Sequence, residues 1–225
     1  MILGLYTLEL WDMKDILIFD FDGVLADTLQ PMLTYAGQVC QELGYPCEPT
    51  QADLEALERM EFSDYGRQLG IPEEKIGTFV TRNFELFHNH QEPLAITPGL
   101  EPILTELSAK TTLAIITGNS KKVVERFLRT YGLNDKFRIM LCAEDQGNRV
   151  DKINKIQELL SSQCGEVYMI GDAVSDIRSA RKAGIKSVAV AWGHQSQQKL
   201  AAELPDYLVE SPEDLLSLVA VDNTK

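Results

Sequence analysis

Residues 16–28 read ILIFDFDGVLADT. Four apolar residues, Ile16 to Phe19, run directly into Asp20, with Asp22 and Gly23 close behind. An uninterrupted apolar run predicts a strand buried on both faces, as inside a parallel sheet. Asp20 and Asp22 then stand where that strand ends, at the carboxyl edge where open α/β sheets hold their ligands. A carboxylate buried there is costly unless a cation or hydrogen-bond donors meet it. A strand followed by an Asp-Gly turn satisfies the same letters, so the rest of the chain must decide.

Working outward, residues 28–45 place Leu29, Met32, Leu33, Ala36, Val39, Cys40 and Leu43 at helical spacing, with Gly44 as a stop. No strand is expected from there to about Pro98, where 52–70 and 72–90 read as helices separated by Gly and Pro. A helix over 97–110 then restores a regular alternation. Strands are expected at 112–119, 138–145, 167–172, 187–192 and 206–209, with helices at 121–133, 150–160, 175–184 and 211–219. Such alternation predicts a doubly wound parallel sheet, a Rossmann-like α/β core, with helices on both faces. The all-helical block between the first two strands is then an insertion that hangs over the site as a lid.

Composition narrows the partners. The chain has 225 residues, 44% of them hydrophobic, and a formal charge of −13, with a pI near 4.7. That surface repels nucleic acid and anionic lipid, yet admits a small phosphorylated compound where a metal ion reverses the local field. Cys40, Cys47, Cys142 and Cys164 form no CxxC pair and no metal-ligand spacing. Cys40 and Cys142 read as small core residues. The apolar start, MILGLYTLEL, is too short to span a membrane and lacks the basic flank of a secretory signal. The expectation is a cytoplasmic, reduced protein, with no function assigned to residues 1–12.

Three further features accompany predicted strand ends. Thr117 closes an apolar run and leads through Gly118 and Asn119 toward a helix. A hydroxyl and free N–H groups suit a phosphate oxygen there, although the same residues make an ordinary turn and cap. Gly171 and Asp172 end another run, and Asp176 lies four residues on. Together with Asp20 and Asp22 these acids suit a hard cation such as Mg2+. Lys152 opens the preceding helix, where it is placed to hold Asp20 ionised and to bind a phosphate oxygen.

The ordered set DFDGVLAD (20–27), ITGN (116–119), Lys152 and GDAVSD (171–176) resembles the haloacid dehalogenase superfamily. It is most similar to the phosphoglycolate phosphatase-like group with a helical cap. The resemblance implies a catalytic core of residues 1–27 and 98–225 and a cap of residues 28–97. It implies a phosphoric monoester hydrolase acting on a small phosphorylated metabolite, as a monomer or homodimer. Asp20 would be the nucleophile that forms an aspartyl-phosphate, and Asp22 the general acid and then base. Thr117, Gly118, Asn119 and Lys152 would bind the phosphoryl group. Mg2+ would be held by Asp20, Asp22 through its backbone carbonyl, Asp172 and Asp176.

Lys152 is followed by Ile153 where the family often has Pro, and Val24 stands where some members have Thr. Both departures weaken any transfer of substrate identity. The alternatives are a phosphosugar mutase of the β-phosphoglucomutase type and a non-catalytic binding protein on the same fold. Within the insertion, Arg59, Arg67 and Arg82 read as solvated, His88 and His90 as surface residues, and Phe79, Phe84 and Phe87 as packing. Trp192-Gly193-His194 reads as a turn, with His194 near the site as the lesser alternative.

Overall fold

A computed structural model describes residues 14–90, 92–160 and 164–220. The reading of the first twelve residues therefore lies outside the described residues. Six parallel strands form the central sheet: β1 (Lys14–Phe19), β4 (Thr112–Ile116), β5 (Phe137–Leu141), β6 (Cys164–Gly171), β7 (Lys186–Val190) and β8 (Tyr207–Val209). Their order is β5-β4-β1-β6-β7-β8. The apolar run at 16–19 is thus an inner strand, paired with β4 on one side and β6 on the other. Its side chains alternate between faces, as a period of two requires. Leu17 and Phe19 enter one hydrophobic cluster, Ile16 and Ile18 another. Removing the Phe19 ring from such a site costs about 3–5 kcal/mol.

Topology makes the site. The chain moves from β1 to β4 and β5, then crosses back to β6 on the other side of β1. The carboxyl ends of β1, β4 and β6 therefore open at the switch point, the crevice where such sheets bind ligands. Flanking helices are α5 (Leu100–Lys110), α6 (Lys121–Thr130), α7 (Arg149–Leu160) and α8 (Val174–Ala183).

The insertion between β1 and β4 carries α1 (Leu29–Glu42), α2 (Gln51–Glu55), α3 (Phe62–Gln68) and α4 (Glu73–Asn89). It has a hydrophobic cluster of its own, with Val39, Leu54, Tyr65 and Phe79 at its centre. The segment leaves and rejoins the rest of the chain through one short antiparallel ladder, β2 (Ala26–Asp27) against β3 (Ala95–Ile96). Thr97 reinforces it by donating to the Leu25 and Val24 carbonyls at 3.0 and 2.8 Å.

Three local expectations need correction. The ladder supplies strands before Pro98, where none was expected, because two residues are too few to show alternation. The single helix expected over 52–70 breaks into α2 and α3. Gln195 donates to the Leu57 carbonyl at 2.7 Å, and Lys199 reaches the carbonyls of both Glu55 and Leu57. These side chains satisfy carbonyls that a continuing helix would have used. Helix α9 (Gln197–Ala202) was also unexpected. It is only six residues long and buries Leu200 alone, which leaves no period to read. The last helical segment begins as a 3-10 turn at Pro212–Leu216 before α10 (Ser217–Ala220). Among the described residues no helix is long and apolar enough to cross a membrane.

Candidate active site

Asp20 follows β1, Asp172 follows β6, and Asp176 lies in the first turn of α8. Carboxylate oxygens of all three lie within 4.8 Å of one another, and all three residues are buried. Glycine makes that approach feasible. A Cβ on Gly171 would stand 2.2 Å from Asp176 Oδ2. Gly23 adopts φ +71°, and a Cβ there would lie 2.1 Å from Asp172 Oδ2. Even a methyl group at either position displaces an acid.

Electrostatically the cluster is under-compensated. Burial pushes the Asp176 carboxyl up to about 8, against Arg149, with Asp20 and Asp172 adding to the rise. Burial likewise raises Asp20, opposed first by Arg149 and then by the Phe21 N–H, which donates to Oδ1 at 2.7 Å. Asp176 Oδ1 makes no hydrogen bond. Hard oxygen donors crowded at this density suit a divalent cation with oxygen preference.

Asp22 is not one of the three converging acids. Its Oδ2 accepts a hydrogen bond from Asn119 Nδ2 at 2.5 Å. Burial first, then the Asp20 charge, raise its carboxyl to about 6, while His194, Thr28 and Asn119 act in the opposite direction. Thr117 is buried after β4, and its hydroxyl accepts from the Asn119 N–H at 3.0 Å. Gly118 and Asn119 line the cavity above the acids.

Lys152 is differently engaged from the sequence reading. Its Nζ donates to the Cys142 carbonyl at 2.6 Å and to the Thr117 carbonyl at 3.4 Å. The cation beside Asp20 is instead Arg149. Nη2 lies 2.9 Å from Asp20 Oδ2, and Nη1 lies 2.6 Å from Asp176 Oδ1 without hydrogen-bond alignment. Arg149 was overlooked, although the first turn of α7 is where the helix dipole disfavours a cation. Arginine in that place needs an anionic partner, and that was the available signal.

His194 stands where the lesser alternative put it, beside the acids. It is 2% exposed; its N–H donates to Asp172 Oδ2 at 2.7 Å, and its ring Nδ1 lies 3.0 Å from the same oxygen. Burial works against the imidazolium, but Asp172, Asp22 and Asp20 together outweigh it and raise the pKa. The three residues read as a turn after β7 thus deliver a side chain to the acid cluster, because β7 ends at the same sheet edge as β6.

Above the acids lies a cavity of about 250 Å3 that reaches into the helical insertion. Arg59, Arg67 and Arg82 do not line it. They pair with Asp64, with Asp64 and Glu73, and with Glu42 and Glu85 respectively. Phe79 is packed into the core of the insertion as expected, whereas Phe84 and Phe87 line the cavity.

Residues 17–190 match the sequence model of a family described as haloacid dehalogenase-like hydrolase. A phosphoglycolate phosphatase of Synechococcus elongatus is 28% identical over 205 residues, spanning 90% of this chain and 96% of its own length. A pyrophosphatase of Bacillus cereus is 24% identical over 208 residues, spanning 90% and 95%. Among solved structures, a haloacid dehalogenase-like family hydrolase of Streptococcus pneumoniae superposes with a TM-score of 0.76 at 20% identity. That alignment covers 92% of this chain and 98% of the other, and it speaks to the fold.

Proposed function

Because the chain belongs to the haloacid dehalogenase-like hydrolase family, we propose that it is a Mg2+-dependent phosphatase of small, cytoplasmic phosphate monoesters. The observation that carries this reading is the convergence of Asp20, Asp172 and Asp176 beside a separately held Asp22. Asp20 stands within the acid cluster while Asp22 is held apart from it on Asn119, which suits a nucleophile and a separate acid–base group.

In this reading Asp20 attacks phosphorus through one carboxylate oxygen. The phosphorus–oxygen bond to the leaving alcohol breaks, and Asp22 gives that oxygen its proton. Asp22, now a carboxylate, takes a proton from water as the water oxygen attacks phosphorus. Inorganic phosphate departs and Asp20 is restored. Mg2+, held by Asp20, Asp172 and Asp176, would supply charge neutralisation at the phosphoryl oxygens. Asn119 orients Asp22, Gly118 lines the cavity in which the phosphoryl group would sit, and Lys152 braces the ends of β4 and β5 through the Thr117 and Cys142 carbonyls. Residues 28–97 serve as the cap, which excludes bulk water while the phosphoryl group is in transfer.

Phosphate release from a panel of monoesters tests the proposal. It should depend on added Mg2+, fall to background with chelator, and be abolished in Asp20→Asn. Release that persists in Asp20→Asn, or that ignores chelator, overturns it.

A further inference from the structure

The walls of the cavity have a chemistry of their own. Seen from the acids upward, they are Met32, Leu57, Phe62, Val80, Phe84 and Phe87. Phe62 stacks edge-on against Phe84 with centroids 5.1 Å apart, and Phe87 lies 5.9 Å from Phe62. Phe84 is 40% exposed despite its size, so its ring stands at the mouth instead of in the core of the insertion. The charged residue the insertion contributes is Glu61, an anion. The basic groups among the described lining residues are on the floor: Arg149, paired with Asp20 and Asp176, and His194, paired with Asp172.

A substrate whose leaving group carries a carboxylate, such as glycolate, would meet Glu61 and aromatic rings where it needs a cation. A sugar would leave its hydroxyls against apolar walls, and each unpaired polar group is costly to desolvate. Besides Glu61, the insertion adds the small hydroxyl side chain of Ser63 to the lining. Size agrees as well. An apolar cavity of about 150 Å3 accepts benzene, so about 250 Å3 holds a phosphoryl group at the acids and a ring-sized body above it.

We infer that the leaving group is an uncharged alcohol with an apolar, ring-sized body. The phosphate faces Asp20 while the body stacks among Phe62, Phe84 and Phe87. This assignment rests on the phosphatase reading and makes the aromatic wall its specificity element, in place of the carboxylate selectivity that the name of the Synechococcus relative suggests.

The test compares kcat/KM for 2-phenylethyl phosphate, ethyl phosphate, 2-phosphoglycolate and glucose 6-phosphate, in wild type and Phe84→Ala. Phe84 is exposed enough that its removal leaves the fold intact. The phenylethyl ester should be preferred over 2-phosphoglycolate by about tenfold or more, the range that pocket burial of a few carbons supplies. Phe84→Ala should narrow the phenylethyl-to-ethyl ratio by about tenfold. Preference for 2-phosphoglycolate or glucose 6-phosphate, with that ratio unmoved in Phe84→Ala, overturns the inference and leaves the phosphatase reading standing. Absence of phosphate release from all four esters overturns both.

Discussion

At the scale of single residues, the acids of the site were legible and the groups that control them were not. Asp20, Asp22, Asp172 and Asp176 announce themselves because each follows a strand-like apolar run or opens the helix after one. The partners of Arg149 and His194 become identifiable once the sheet order is known, since they lie far away in sequence. Arg149 now bridges Asp20 and Asp176, the two carboxylates a divalent ion would also need. Arg149→Met should therefore act in two directions. The metal-free protein loses its buried charge partner and should melt roughly 5–10 °C lower, from a loss on the order of 2–3 kcal/mol. Added Mg2+ should then raise the melting temperature more than in wild type, because no guanidinium competes for the acids. A Mg2+-induced rise equal to or smaller than that of wild type would show that Arg149 and the metal do not share the site.

Among elements, the core strands and their order of appearance follow directly from apolar runs separated by helical periods. The insertion was harder, because its breaks are set by contacts from the other end of the chain. Gln195 is the clearest case: it accepts from the Val174 N–H at 2.8 Å and donates to the Leu57 carbonyl at 2.7 Å. One buried side chain thus ties the start of α8, beside the acid loop, to the α2–α3 connection. Arg178 adds an ion pair to Glu58 at 2.6 Å, worth little at an exposed position. Gln195→Ala should leave the buried Val174 N–H unmet while the Leu57 carbonyl keeps Lys199, at a cost of about 1–3 kcal/mol. Hydrogen exchange should quicken at Ala56 and Leu57 beyond what the global loss explains. Unchanged exchange in that segment would mean that the insertion is held to the core elsewhere.

On the scale of the whole molecule, a chain with a formal charge of −13 gathers its most buried acids at one crevice. The sheet order makes this possible by setting β4, β1 and β6 side by side. The account rests on Asp20 as the group that receives the phosphoryl transfer. Asp22→Asn, mixed with Mg2+ and an aryl phosphate whose leaving group departs without a proton, should form the phosphoenzyme and lack the base to break it down. Acid quenching followed by peptide mass spectrometry should then locate a phosphoryl group on the peptide containing Asp20, and chelator should prevent it. Turnover of the ester with the label on another residue, or with no labelled peptide at all, would contradict the account at its centre.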